Sequence, residues 1–401
     1  MALSKLGHTV LKKIQKCIEE EKISSSFTAG ILTKVCGEKI SGNTLSSLSK
    51  HGYLVREGGS PVSYHLANQD DINALLKAEN GPAENHDTML VAKKMKRNEF
   101  YTHFEDIENE VMRYRQYFRD KSVFLNCNDG NWSEFYKFFV INFDSFGLRK
   151  LVSLDYNPDG NAKAYILEDD LNKDGFVDEN DLVIEELNGT GGFETEESLK
   201  YLNECDIVVT NPPFSEFRFF VSILIESKKH FLIIGNNNAL SYQEIFKYIK
   251  ENKMWLGYNS NKTMDFNLPD NYQELNLGYQ AKGEKNGKPY ATVAAVSWFT
   301  NLPNKKRTEP QILINSYGDG KNYPHLDNHD NIIEVSRVSL IPKDYEGYMA
   351  VPITYLNVYC PEQFELLAIM ASTTVTETNW GYPYINGKKK YARVIIKRRT
   401  K

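Results

Sequence analysis

The chain has 401 residues, of which 41% are hydrophobic and 25% are charged, and its net charge is -5 at pH 7. This length accommodates two or three domains, and the composition is that of an ordinary globular protein. The acidic balance excludes a uniformly basic nucleic-acid binder, but the stretch from Gly387 to Lys401 provides one local basic patch.

The sequence also indicates the cellular compartment of the protein. No apolar run approaches the roughly 20 residues that a membrane-spanning helix needs, and the N-terminal stretch lacks the sustained apolar segment of a secretory signal. The cysteines are odd in number and far apart, which argues against a disulfide framework and against a CxxC zinc site. They are Cys17, Cys36, Cys127, Cys205 and Cys360. We therefore predict a cytoplasmic protein with reduced thiols and no membrane contact.

The pattern of residues 1–70 predicts a winged helix-turn-helix domain. Apolar residues at helical spacing indicate helices over 5–22, over 26–37 and from about 42 to 52, followed by two short strands around "EGGSP". In this interpretation the third helix enters a DNA major groove and the hairpin contacts phosphate. The residues assigned to DNA are Asn43, Thr44, Ser46, Ser47 and Lys50 on the helix and Arg56 on the hairpin. The alternative is a small helical domain that binds protein, because this topology serves both uses.

A polar stretch with the pair Gly81-Pro82 predicts a linker over 71–92. Residues 93–250 then alternate between strand and helix patterns, which is typical of βαβ units and a mostly parallel sheet. Strands are expected at 121–127, 150–156, 206–210 and 229–236, and helices at 107–118, 133–147, 197–204 and 217–227. Residues 251–401 are less regular and contain one strong strand at 291–302, so we predict a second region of α+β type there.

The stretch "DIVVTNPPF" contains the residues best suited to catalysis. An apolar strand ends there in an amide, two prolines and an aromatic ring. Because proline cannot donate to a strand ladder, the strand must stop at Asn211 and hold this side chain at its carboxyl edge, where open α/β sheets bind ligands. The Asn211 carboxamide oxygen and the Pro212 carbonyl can accept from a planar NH2 group, and Phe214 can stack on its ring. The alternative is that Pro212 and Pro213 only end the strand and that Phe214 is core.

Several other stretches accompany this motif in a fixed order: "RNEFYTHFEDIENEV" from Arg97, "VFLNCNDGNWSEFYKFF" from Val123, "AAVSWFTNL" and the terminal "INGKKKYARVIIKRR". Together with NPPF they resemble the EcoRI-type adenine-specific DNA methyltransferases, over roughly residue 95 to the end. The resemblance implies an α/β, Rossmann-like core that uses S-adenosylmethionine and a C-terminal DNA-recognition region. It implies methyl transfer to N6 of an adenine that is flipped out of double-stranded DNA. It also allows for a cognate restriction endonuclease as partner and leaves the oligomeric state open.

The resemblance further implies a set of cofactor-binding residues. A segment before the sheet packs on the methionine part of the cofactor, the turn after the first strand faces its amino acid end, and an acidic residue takes the ribose hydroxyls. The positions are Asn98, Glu99, Phe100, Tyr101 and Thr102 for the segment, Asn126 and Asp129 for the turn, Asp155 for the ribose, Phe193 for the adenine, and Asn211 beside the methyl group. The alternative for each residue is ordinary packing or solvation.

Basic residues in the C-terminal region are candidates for holding DNA phosphates. They are Lys305, Lys306 and Arg307, and in the tail Lys388, Lys389, Lys390, Arg393, Lys397 and Arg398. The alternative is a solvated charged face, which is the usual role of a charge run.

The loop "DLNKDGFVDEND" has the spacing of a calcium-binding loop, with oxygen ligands at alternate positions and Gly175 where the chain must turn. The predicted ligands of a structural Ca²⁺ are Asp170, Asn172, Asp174, the Phe176 carbonyl, Asp178 and Asp181. The alternative is an acidic surface insertion.

Two other functions share the NPPF motif. One is an RNA adenine or guanine methyltransferase or a protein-glutamine methyltransferase, because NPPF-type loops present those amines in the same way. The other is a DNA-binding regulator whose methyltransferase domain is inactive, and the intact Asn211 to Phe214 motif argues against it.

Overall fold

The computed structural model describes residues 10, 11, 14, 17, 26–36, 45, 46, 48, 49, 53–57, 62–66, 101–127, 129–268, 281–285, 287–318 and 323–399. The chain divides into two compact units, Met1–Lys93 and Lys94–Lys401. Within the described ranges, no helix has the length and apolar character required to cross a membrane. The predicted linker, 71–92, lies outside the described residues.

The first unit contains a small antiparallel sheet with the strand order β1-β3-β2. Its described elements are β1 (Ser26–Thr28), α1 (Ala29–Cys36), β2 (Leu54–Glu57) and β3 (Ser63–Leu66). Phe27 is buried and lies opposite Tyr64 in the sheet. The prediction of a helix from residue 26 was therefore wrong at its start, because the first three residues pair as a strand. The Thr28 hydroxyl accepts from the Ile31 N–H at 3.4 Å, and α1 begins there.

The second unit is built on an eleven-stranded mixed sheet with the order β4-β12-β14-β10-β9-β5-β6-β7-β8, in which β11 and β13 also pair with β14. Its strands are β4 (Tyr101–Thr102), β5 (Ser122–Leu125), β6 (Lys150–Leu154), β7 (Lys163–Leu167), β8 (Val183–Glu186), β9 (Ile207–Thr210), β10 (His230–Asn236), β11 (Trp255–Leu256), β12 (Lys262–Asn267), β13 (Gly283–Lys285) and β14 (Lys288–Thr300). Its helices are α2 (Phe104–Val111), α3 (Glu134–Ile141), α4 (Phe143–Phe146), α5 (Glu196–Glu204), α6 (Phe217–Glu226) and α7 (Gln243–Lys250).

The parallel part of this sheet is limited to β10, β9, β5 and β6. The strands on both sides of it pair antiparallel, so the prediction of a mostly parallel sheet was wrong for the flanks. Successive residues of the parallel strands enter two different cores. Val123 and Val209 belong to one core and Phe124 and Val208 to the other, as expected for a sheet covered on both faces.

A second sheet of five strands has the order β15-β16-β17-β21-β18, and a separate hairpin pairs β19 with β20. The strands are β15 (His325–Leu326), β16 (His329–Glu334), β17 (Tyr348–Pro352), β18 (Phe364–Met370), β19 (Tyr384–Ile385), β20 (Lys388–Lys389) and β21 (Arg393–Arg398). Short 3-10 helices lie at Met112–Tyr117, Glu179–Asp181, Asn237–Ser241, Lys305–Arg307, Val338–Leu340 and Ile353–Val358. Strands β11 to β14 also belong to the mixed sheet, although they follow residue 250 in the chain.

Candidate active site

The NPPF motif lies at the carboxyl edge of the parallel strands. Strand β9 ends at Thr210, and Asn211 leaves the sheet there because the two following prolines cannot continue the ladder. The Pro213 carbonyl accepts from the Glu216 N–H at 2.9 Å, and α6 follows at once. Asn211 and Phe214 are half-buried, and the Phe214 ring lies edge-on to Phe266 of β12 with 6.4 Å between centroids.

Asp129 lies in the loop after β5 and reaches the same place. Its backbone N–H and that of Gly130 donate to the Leu154 carbonyl at 2.9 and 3.1 Å, which fixes the loop to the end of β6. The Asp129 side chain is buried, and its carboxylate accepts from the Thr210 hydroxyl at 2.7 Å and from the Cys127 N–H at 3.2 Å. Burial raises the pKa of the Asp129 carboxyl to about 6.

The predicted cofactor segment is described from Tyr101 onward. Asn98, Glu99 and Phe100 lie outside the described residues. Tyr101 packs edge-on against Trp132 at 5.0 Å between ring centroids. Thr102 is buried opposite Phe266 in the sheet, and its hydroxyl has no hydrogen-bond partner in the described part of the chain. A buried hydroxyl of this kind is suited to a ligand that the protein does not itself contain.

Three other predicted cofactor residues make contacts within the protein. Asn126 is buried directly after β5, and its carboxamide oxygen accepts from the Cys127 thiol at 3.9 Å. The Asp155 carboxylate accepts from the Lys163 N–H at 2.6 Å and from the Tyr165 hydroxyl at 3.3 Å. The Phe193 ring is buried and lies edge-on to Phe220, with centroids 5.0 Å apart.

Lys306 and Arg307 are placed away from the motif. They follow β14, whose last residue, Thr300, lies opposite Leu232 near the start of β10, at the amino edge of the parallel strands. The Lys306 ammonium donates to the Tyr258 carbonyl at 2.6 Å, and the Arg307 guanidinium lies 4.5 Å from the Trp255 ring centroid. Burial lowers the pKa of both basic groups. Both side chains are half-buried and make these contacts within the protein, and their predicted DNA contacts stay a prediction. Lys305 is exposed beside them.

The C-terminal basic residues divide into two groups. The Arg393 guanidinium forms an ion pair with Glu334 at 2.8 Å, and both side chains are buried, so its predicted role on DNA is corrected. The Arg398 guanidinium donates to the Pro342 carbonyl at 3.1 Å. The exposed or half-buried lysines are Lys388, Lys389, Lys390 and Lys397.

The predicted DNA contacts of the first unit are only partly described. Arg56 is exposed on β2, and Ser46 is half-buried in a helical stretch. Asn43, Thr44, Ser47 and Lys50 lie outside the described residues.

The acidic loop after β7 uses its carboxylates on its own backbone. Asp170 accepts from the N–H groups of Asp174 and Gly175, and Asp174 accepts from that of Phe176. The buried Asp181 accepts from three N–H groups, which lowers the pKa of its carboxyl; they belong to Leu171, Asn172 and Asp178. Across the described ranges, no group of three or more His, Cys, Asp or Glu side chains is placed to hold a metal ion. The calcium prediction is therefore not supported, and Asn172 and Asp178 likewise accept from nearby N–H groups.

Comparison with known proteins decides the family. The family described as "Adenine-specific methyltransferase EcoRI" matches residues 88–399. The chain belongs to this methyltransferase family. It is similar to the type II methyltransferase M.MgeORF184P of Mycoplasma genitalium, with 41% identity over 320 residues, covering 77% of this chain and 97% of that protein. It is also similar to M.MpnI of Mycoplasma pneumoniae, with 41% identity over 77% of this chain and 97% of the relative.

The type II methyltransferase M.EcoRI of Escherichia coli is 39% identical over 76% of this chain and 94% of its own length. No solved structure matches the chain. The family match begins at residue 88, so it leaves nearly all of the first unit, Met1–Lys93, outside the matched region.

Several residues of the site were not identified from the sequence of this methyltransferase. The Thr210 hydroxyl donates to Asp129 in the loop after β5, and the Phe266 ring packs on Phe214 of the motif. Trp132 is 40% exposed beside Tyr101. The signal for Trp132 was present, since an aromatic residue three positions after Asp129 lies in the same strand-to-helix turn. Thr210 and Phe266 carried no comparable local signal.

Proposed function

We propose that this methyltransferase transfers a methyl group from S-adenosylmethionine to N6 of a specific adenine in double-stranded DNA. The observation that carries the proposal is the position of Asn211 to Phe214 at the carboxyl edge of β9, directly beside the loop after β5. In open α/β sheets this crevice binds ligands. A base inside a duplex cannot reach it, so the target adenine must leave the helical stack.

The residues of the motif have separate roles in this proposal. The Asn211 carboxamide oxygen and the Pro212 carbonyl accept the two hydrogens of the target amine and orient its lone pair. Phe214 is half-buried and can stack on the flipped base, since Phe266 supports its ring from the side. The substrate amine is the nucleophile, so the chain supplies alignment and electrostatics and forms no covalent bond.

The residues around the motif fit S-adenosylmethionine. The cofactor supplies an electrophilic methyl group on a sulfonium sulfur. The unpartnered Thr102 hydroxyl and the Tyr101–Trp132 aromatic pair lie on the side of the site formed by β4 and the loop after β5. A hydroxyl and aromatic faces suit the polar amino acid end of the cofactor and its cation, respectively. Asp155 remains our proposal for the ribose, at the end of β6.

DNA contacts are proposed for two surfaces. On the second unit, the exposed Lys388 and Lys389 lie on a short hairpin. Asp327 fixes the turn of this hairpin, because its carboxylate accepts from the Asn386 and Gly387 N–H groups at 2.9 and 2.7 Å. On the first unit, the antiparallel β1-β3-β2 sheet with exposed Arg56 supports a winged-helix domain. A protein-binding role for the first unit remains the alternative.

Methyl transfer with labelled S-adenosylmethionine to duplex DNA, RNA and protein substrates tests the proposal directly. We expect label in DNA only, removed by Asn211→Ala, and mapping of N6-methyladenine by sequencing should give one recognition sequence. Label in RNA or in glutamine side chains would select the alternative substrates, and no transfer at all would select an inactive regulator. A restriction endonuclease that cleaves the same sequence, and is blocked by the methylation, is the partner that this function implies.

A further inference from the structure

The sheet opens at the point where the motif begins. Strand β9 pairs with β10 through its whole length, up to Thr210 opposite Ile233. Its pairing with β5 on the other side ends earlier, at Val208 opposite Phe124. On its other side, β5 pairs with β6. The chain therefore extends the sheet in opposite directions from β5 and from β9, and the strand order switches between these two strands. The separation of β5 and β9 at this point creates the crevice. It also leaves the end of β9 without backbone hydrogen bonds to β5.

A side-chain bond takes the place of that missing backbone pairing. The fully buried Thr210 hydroxyl donates to the Asp129 carboxylate at 2.7 Å, across the gap between the two strands. Asp129 is in turn held from two directions. The Cys127 N–H donates to the same carboxylate oxygen at 3.2 Å, and the Asp129 backbone N–H donates to Leu154 on β6 at 2.9 Å.

We propose that Asp129 is a positioning residue, which holds Asn211 in its productive geometry through the hydroxyl of Thr210. This inference rests on the proposed function and replaces the predicted direct contact of Asp129 with the cofactor. The Asp129 side chain is only 4% exposed, so little of it is accessible to a ligand. Thr210 immediately precedes Asn211, and a rotation at Thr210 moves the carboxamide that must accept from the target amine.

The expected effect is on the rate and not on the affinity for the cofactor. Productive alignment of reacting groups is sensitive to displacements of about 1 Å, which can change rates by about 100-fold. Thr210→Val keeps the shape of the side chain and removes the donor, so we expect the single-turnover rate at saturating DNA and cofactor to fall by about 10- to 100-fold. The Kd for S-adenosylmethionine should change by less than about threefold, because Thr210 is not assigned to the cofactor.

Four further variants make the test specific. Thr210→Ser keeps the hydroxyl and should recover most of the lost rate. Asp129→Ala removes the acceptor and should slow the reaction. Asp129→Ala combined with Thr210→Val should be no slower than the worse single variant, because both changes remove the same hydrogen bond. Thr300→Val is the matched control. This threonine is also fully buried in the sheet and donates to the Phe231 carbonyl at 2.6 Å, but it lies at the opposite edge.

Hydrogen–deuterium exchange of the peptide covering residues 207–216 provides a readout that needs no substrate. We expect faster exchange in Thr210→Val than in wild type, and near wild-type exchange in Thr210→Ser and Thr300→Val. An inactive wild-type protein would refute the proposed function, and the exchange result would still decide the inference. Wild-type rate and exchange in Thr210→Val would overturn it, as would a loss of cofactor affinity in Asp129→Ala with an unchanged rate at saturation.

Discussion

The buried carboxyl of Asp129 makes the stability of the second unit depend on pH in a predictable direction. Burial raises its pKa from 3.8 to about 6. Because the folded-state pKa is the higher one, the stabilising contribution is fully present below 3.8 and is lost as the pH rises through about 6. Above that range, the ionised carboxylate in the folded protein destabilises it by about 3 kcal/mol relative to the unfolded chain.

Asp129→Asn removes the titrating carboxyl at this position. The pH dependence of its free energy of unfolding therefore comes from all the other groups and serves as the reference. Between pH 7.5 and pH 5, the free energy of unfolding of wild type should rise relative to this variant by about 1.4 kcal/mol, from the same pair of pKa values. Urea unfolding followed by tryptophan fluorescence measures this difference in the second unit alone. All the tryptophans lie there, namely Trp132, Trp255, Trp298 and Trp380. A difference that is constant with pH, or that has the opposite sign, would refute an elevated pKa at Asp129.

Four further outcomes follow from the site and its surroundings. Asn211→Ala should abolish methyl transfer and leave cofactor affinity within about threefold by calorimetry, whereas a parallel loss of both would place Asn211 on the cofactor. Replacing Lys388 and Lys389 by alanine should lower DNA affinity and reduce the slope of log K against log salt by up to about 2, and an unchanged slope would remove both from the interface. Arg393→Ala should lower the free energy of unfolding by about 3–5 kcal/mol, because it leaves Glu334 buried without its partner, while a change below about 1 kcal/mol would show that the pair is solvated. Deleting residues 1–87 should preserve methyl transfer and weaken DNA binding with a shallower salt dependence, and an unaltered salt dependence would favour the protein-binding alternative.

The parallel strands could be predicted because their residues leave little ambiguity. Val208 and Val209 are β-branched, two prolines follow the run, and burial on both faces makes it continuously apolar. The shortest and most exposed strands of the antiparallel flanks could not be predicted in the same way. Strand β4 has two residues and β8 has four exposed ones, so neither presents an alternation of apolar and polar positions.

The internal contacts of basic residues could not be predicted for a different physical reason. A guanidinium in a charged stretch is indistinguishable from a phosphate-binding one until its distant neighbours are known. Arg307 lies over Trp255, and Arg393 pairs with Glu334, both of them more than 50 residues away in the chain. The same holds for the link between Asp129 and Thr210, which are 81 residues apart. Local patterns identify strands and turns, but they do not identify which buried partner a polar group meets.

The long antiparallel strand β14 explains how the region after residue 250 contributes to the site. Thr300 lies opposite Leu232 at one end of β10, and Val296 lies opposite Asn236 at the other, so the residues before Val296 extend beyond the carboxyl edge of the parallel strands. That extension pairs with β12, which places Phe266 opposite Ala291 and beside both Phe214 and Thr102. One wall of the site is therefore built from residues that follow the parallel strands in the chain. A flipped adenine entering between this wall and the motif would contact residues from both regions, so substitutions at Phe266 should weaken base capture while leaving the parallel core intact.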